Sequence, residues 1–113
     1  MVVNKEKLYS HMDDANWNEL RMAMYHLGDN QPQWRSKEIK DDYLSEWDGE
    51  WYYHFRAGGY RTIEYIEIQV SNKKMRDLVR NALVKIPVPG RETKDGFMVL
   101  GYTRTSDPVE YLK

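Results

Sequence analysis

The run Glu46-Trp47-Asp48-Gly49-Glu50-Trp51-Tyr52-Tyr53-His54-Phe55-Arg56-Ala57-Gly58-Gly59-Tyr60 places six aromatic side chains and two turn signals within fifteen residues. Asp-Gly is the favoured pair of a two-residue type I′ hairpin, so Asp48-Gly49 predicts a reversal between strands at Tyr43–Trp47 and Glu50–Arg56. Gly58-Gly59 offers a second reversal into Arg61–Val70, where Ile66, Ile68 and Val70 alternate with polar residues. The expected product is an antiparallel meander with aromatic rings on both faces. Helices can bury one face of a small sheet, and rings on the other then need a second cover or a partner.

In that register Leu44, Trp51, Tyr53, Phe55, Thr62 and Ile66 line an inner face. Tyr43, Trp47, Tyr52, His54, Ile63 and Tyr65 gather on the outer face, with Glu50 and Glu67 directly opposite one another. A slip of one residue would move every side chain of the third strand to the other face.

Two helices flank the meander. Trp17, Leu20, Ala23, Met24 and Leu27 recur at helical spacing and predict a helix from Asp14 to Leu27, stopped by Gly28. Asn16 with Glu19 resembles a capping box, and Asp13 or Asp14 would cap an earlier start. Met22, Tyr25 and His26 fall off the apolar arc and read as exposed. Asn72 or Ser71 caps a second helix to Ile86, with Met75, Leu78, Val79, Ala82, Leu83 and Ile86 on one arc. Lys73, Lys74, Arg76, Arg80 and Lys85 occupy the other arc, which reads as a solvated face. Pro87 ends this helix, and Asp95-Gly96 turns the chain into a last strand, Phe97–Arg104. Trp34–Ile39 reads as a further short strand at an edge. The order α-β-β-β-α-β, with both helices on the inner face, is a two-layer α+β fold. A length of 113 residues suits one domain over 1–113, with a core about 14–104 and peripheral termini at 1–12 and 105–113.

The chain has no cysteine, which excludes disulfides and thiolate chemistry and fits a reducing compartment. Lys5, Glu6 and Lys7 interrupt the place of a signal peptide, and no run is long enough to span a membrane, so the expected location is cytoplasmic. The net charge of −1 hides an asymmetry: residues 1–70 hold eight Lys/Arg against thirteen Asp/Glu, and residues 71–113 hold nine against five. Acidic residues among the rings (Glu46, Asp48, Glu50, Glu64, Glu67) would repel phosphate, which argues against nucleic acid as partner.

Chemistry has few footholds here. Ser45 and His54 would be diagonal neighbours, with Glu67 too far along the face to orient the imidazole. Glu50 and Glu67 could divide as acid and base, although opposed exposed glutamates more often diverge into water. His11, Asp13 and His26 lack ligand spacing, and Gly58-Gly59 has no phosphate-loop context. No catalytic residue, metal or cofactor is assigned. The outer rings remain, and Tyr43, Trp47, Glu50, Tyr52, His54, Tyr65 and Glu67 form the candidate partner-binding set, with the glutamates steering toward a basic protein. A homodimer through this face, an enzyme or small-ligand pocket at such a dimer interface, and a cover made by Trp34, residues 1–12 or 107–113 all use the same rings.

Asn16-Trp17-Asn18-Glu19-Leu20-Arg21-Met22-Ala23-Met24-Tyr25, Trp34-Arg35, Ser45 through Phe55, Gly59-Tyr60 and Ile63-Glu64 together resemble an uncharacterised family of small bacterial proteins over about residues 16–102. The resemblance implies a bacterial or phage, cytosolic setting and brings no activity or site. Small acidic α+β proteins of this kind include immunity proteins and inhibitors of host defence, an analogy that points the same way as the aromatic face.

Overall fold

The computed structural model describes residues 7–113. Its elements run β1 (Tyr9–Ser10), α1 (Asp14–Tyr25), a short 3-10 turn (Gly28–Asn30), β2 (Gln33–Glu38), β3 (Ile63–Gln69), α2 (Lys73–Lys85), β4 (Gly90–Glu92), β5 (Gly96–Leu100) and β6 (Tyr102–Thr103). Four strands form one antiparallel sheet in the order β2-β3-β5-β4, and β1 pairs with β6 in a second, two-stranded sheet. The fold is α+β, as the sequence predicts. No helix among the described residues is long and apolar enough to cross a membrane.

Both helices form where their patterns place them. Asp13 caps α1 through a reciprocal box: its carboxylate accepts the Asn16 N–H at 2.8 Å, and the Asn16 side chain accepts the Asp13 N–H at 3.1 Å. Asn72 caps α2 by accepting the Met75 N–H at 2.8 Å. Trp17, Leu20 and Met24 of α1, with Val79 and Leu83 of α2, are buried against Ile66 and Ile68 of β3 and Phe97 and Val99 of β5. Residues paired across the sheet share a face, so Trp34, Ile68 and Phe97 form one inner row and Ser36, Ile66 and Val99 the next.

The meander is where the structure departs from the expectation. Of its three strands only the last forms, and residues 39–62 make an irregular excursion between β2 and β3. The first strand of the sheet is the segment at Trp34, which does lie at an edge. Asp48-Gly49 makes no type I′ turn, which needs positive φ at both residues; neither has it. Asp48 instead exchanges two backbone hydrogen bonds with Trp34, each 2.9 Å, and its carboxylate accepts the Glu50 N–H at 2.8 Å. Ser45 N–H donates to the Ser36 carbonyl at 3.0 Å. The stretch read as a hairpin therefore covers the open edge of β2, and no regular pairing is left for Glu50–Arg56. At the opposite edge the C-terminal tail does the same, with Gly90 N–H donating to Glu110 and Leu112 N–H to Val88. Covering both edges removes the unpaired groups on which sheets aggregate.

Ile63 is a second correction, because it is buried and not on the outer face. The register shifts between Lys37 and Glu38, leaving Glu64 as an extra residue in β3. Strict alternation fails at such a bulge, so Glu64 and Tyr65 stand between the buried Ile63 and Ile66. Tyr53 moves the other way: placed inside by the hairpin register, it is 64% exposed. Trp51 and Phe55 are buried as expected, through a different geometry. Trp51 Nε1 donates to the Pro32 carbonyl at 2.8 Å and Trp34 Nε1 to the Glu50 carbonyl at 3.0 Å. Phe55 lies within 6.0 Å of the Trp17, Trp34, Trp51 and Tyr60 rings. This ring cluster, seated on α1 and β2, holds an excursion that has no ladder of its own.

The expectation for residues 1–6 lies outside the described residues. From Tyr9 onward the N-terminal segment is paired, Met12 is buried, and Leu112 near the other end is buried too. The packed core thus runs past both 14 and 104.

Candidate functional site

The structure divides six of the seven predicted partner-binding residues between two surfaces and leaves Tyr43 apart. Trp47, Tyr65 and Glu67 belong to the sheet face away from the helices, where Glu67 stands opposite Arg35 on one side and Met98 on the other. Glu50, Tyr52 and His54 belong to the turn that follows. Tyr43 is 64% exposed and makes no ring contact with either group among the described residues.

On the sheet face the charges answer one another. Arg35 Nε donates to Glu67 at 2.9 Å, and its guanidinium lies 4.4 Å over the Trp47 ring. Glu64 accepts from Lys37 at 2.8 Å and also from Arg104. Burial would raise the Glu64 carboxyl, but those two donors outweigh it and hold it below the usual range, while the same hydrogen bond raises Lys37. A hollow of ≈ 300 Å³ here is lined by Arg35, Trp47 and Glu67, which answer one another, and by Arg91 and Met98. Glu50 is not opposite Glu67, so neither the acid–base pair nor the acidic steering pair assembles.

The turn is built around Glu50. Its carboxylate accepts the N–H groups of His54 at 2.7 Å, Tyr53 at 2.8 Å and Tyr52 at 3.0 Å. The His54 N–H is the strongest of the influences that pull its pKa below the ordinary value, and burial opposes them only in part. Three donors aimed at one carboxylate fix the backbone that presents Tyr52, Tyr53 and Arg56.

Around this turn the rings and cations interleave. Tyr25, in the last turn of α1, lies 5.1 Å from Tyr52 and 5.5 Å from the His26 ring, and Tyr52 lies 4.9 Å from Tyr53. Arg56 sits 5.5 Å over Tyr52 and 5.6 Å over Tyr53. Arg21 approaches Tyr52 from within, 4.9 Å from the ring centroid, and donates to the Tyr52 carbonyl at 2.6 Å. Arg21 is only 8% exposed, its Nε has no hydrogen-bond partner, and among the described residues no carboxylate pairs with it. A buried guanidinium without a counter-ion is costly, and here the Tyr52 carbonyl and ring face carry its stabilisation.

No nucleophilic triad forms. The Ser45 hydroxyl donates to the Glu46 carbonyl and accepts the Ser36 N–H at 2.9 Å; His54 Nδ1 lies 2.8 Å from Asp48, and Glu67 faces Arg35. Of the patch residues, Tyr25, His26, Tyr53, Arg21 and Arg56 were not in the sequence-predicted set, Tyr53 because the hairpin register put it on the inner face. A signal for two of them is in the sequence, though it reads there as exposure: Tyr25 and His26 stand off the apolar arc of their helix. Arg21 and Arg56 had none, because only the turn brings both to one ring.

Neither a curated protein nor a solved structure matches the chain. A family match covers residues 1–106, wider than the stretch that carries the resemblance in sequence, and on that coverage the chain belongs to the family of unknown function DUF6678.

Proposed function

We propose that this protein acts by stoichiometric binding of another protein, through the patch formed by Tyr25, Tyr52, Tyr53 and Arg56. The observation that carries this reading is the continuous row of ring and guanidinium contacts on an exposed turn that a single carboxylate holds in place. Tyr and Arg dominate binding hot spots because they bury wide rigid area and keep a polar handle, and a fixed turn loses little entropy on association. The charge of the patch favours a partner that presents carboxylates. Glu50 is engaged by three N–H groups, whereas Arg21 and Arg56 bring two guanidinium charges to one ring. A basic partner steered by Glu50 and Glu67 is correspondingly disfavoured, since both carboxylates are taken up within the molecule.

In this reading the protein is an immunity-type or anti-defence inhibitor of the bacterial cytosol, a setting that the absence of cysteine suits. A pull-down from the native cell tests it, with Tyr53→Ala/Arg56→Ala beside Trp47→Ala. Loss of capture with the first variant alone supports the patch. Loss with Trp47→Ala alone moves the site to the sheet face and ends the present reading.

A further inference from the structure

The helix layer carries a groove that the aromatic patch does not use. Met22 and Ala23 of α1 face Leu78 and Ala82 of α2, with Ile86 at its C-cap, across a hollow of ≈ 650 Å³. Its floor is apolar, and its rims carry opposite charge, with Glu19 on the α1 side and Lys85 on the α2 side. Both are exposed, and among the described residues neither forms an ion pair. Of the other cations on α2, Lys73 pairs with Asp77 at 2.7 Å and Arg76 and Arg80 both reach Glu92, whereas Lys74, away from the groove lining, forms no ion pair among the described residues. An apolar floor between two unanswered rims of opposite sign is complementary to itself.

We propose that this groove seats a second copy of the chain about a two-fold axis running along the groove. Such an axis lays α1 of one protomer on α2 of its partner, so the two apolar floors meet and each Glu19 stands beside the partner subunit's Lys85. The other two-fold arrangement, with the axis across the groove, would lay α1 on α1 and set like charges together, which association disfavours. The groove shares no lining residue with the sheet-face hollow or with the Tyr52–Arg56 turn.

Sedimentation equilibrium on the full chain tests this with Glu19→Lys, Lys85→Glu and the double variant. Both positions are exposed, and circular dichroism checks that each variant keeps its helices. The wild type is expected to be a dimer. Each single reversal meets its like charge twice per dimer and should weaken association by about tenfold or more. The double variant restores both pairs and should recover most of that loss, and an equimolar mixture of the two single variants should associate better than either alone. A wild type that stays monomeric at its highest soluble concentration overturns the proposal. So does a dimer whose association constant ignores both reversals, because its contact then lies elsewhere, and so does a double variant no better than the singles.

Discussion

The Glu50 carboxylate and the His54 backbone N–H meet at 2.7 Å, the shortest of three hydrogen bonds by which one side chain shapes the turn after Trp51. That turn leaves Tyr53 exposed and Tyr52 half-buried, while Trp51 and Phe55 on either side lie in the core. This is not the alternation of a strand, since Tyr52, Tyr53 and His54 stand outside the core in succession between Trp51 and Phe55; no ladder holds the turn, and the Glu50 carboxylate and two indole N–H groups do.

Glu50→Gln keeps the size of the side chain and leaves one carbonyl oxygen for three donors. The expected loss is about 1–2 kcal/mol, small because water competes at a half-exposed site. Hydrogen exchange should localise it, with the Tyr52, Tyr53 and His54 amides losing protection before those of β3.

Acid should weaken the fold by a route that the carboxylates define. Glu50, Glu64 and Glu92 all have folded pKa values below the ordinary 4.5, held there by the His54 N–H and its neighbours, by Lys37 and Arg104 against the effect of burial, and by Arg80 and Arg76. A carboxyl depressed in the folded state binds fewer protons than in the unfolded chain, so stability rises with pH through that window. Their contribution is complete above the ordinary glutamate value and is lost as pH falls through the folded values. Urea midpoints measured from pH 7 down to pH 3 should fall across that window, and Glu50→Gln should flatten part of the slope.

Two neighbouring aromatic residues should differ sharply on truncation. Trp51→Ala removes a fully buried indole and its hydrogen bond to Pro32, and should cost about 3–5 kcal/mol. Tyr53→Ala removes an exposed ring and should stay within about 0.5 kcal/mol of the wild type. Thermal melts of the two variants check this, and they also establish that Tyr53 can be changed without unfolding the chain.

Gly96 should not accept a side chain. A Cβ there would stand 1.8 Å from the Ile68 carbonyl oxygen, and that oxygen belongs to the adjoining strand backbone, not to a flexible side chain. Gly96→Ala must push β5 away from β3 and should cost about 1–3 kcal/mol by the measure of other overpacked sites. Denaturant unfolding gives the number, and an unchanged midpoint would mean that the two strands separate there without loss.

Helices were legible because their signals are local. The arcs of α1 and α2 and the caps at Asp13 and Asn72 depend on neighbours within a turn or two along the chain, and the structure keeps them within a few residues of the reading. Ile66 and Ile68 were legible in the same way, from alternation inside one strand. The α+β class, and a sheet half-buried by helices, followed from those periods alone.

What the tertiary structure decided is where the aromatic run goes. Asp48-Gly49 carries a strong hairpin signal, yet the β2 edge offers Asp48 two backbone hydrogen bonds, and Pro32 and Glu50 offer acceptors to the Trp51 and Trp34 indoles. Those partners lie fourteen to nineteen residues away in sequence, beyond the reach of any turn propensity. Parity along β3 was lost for the same kind of reason, since the bulge at Glu64 comes from the register with β2 and not from β3 itself. The sequence by itself determined which side chains need burial and which segments carry a period. Only packing across distant segments could decide which of the remaining rings found cover and which were left to face outward.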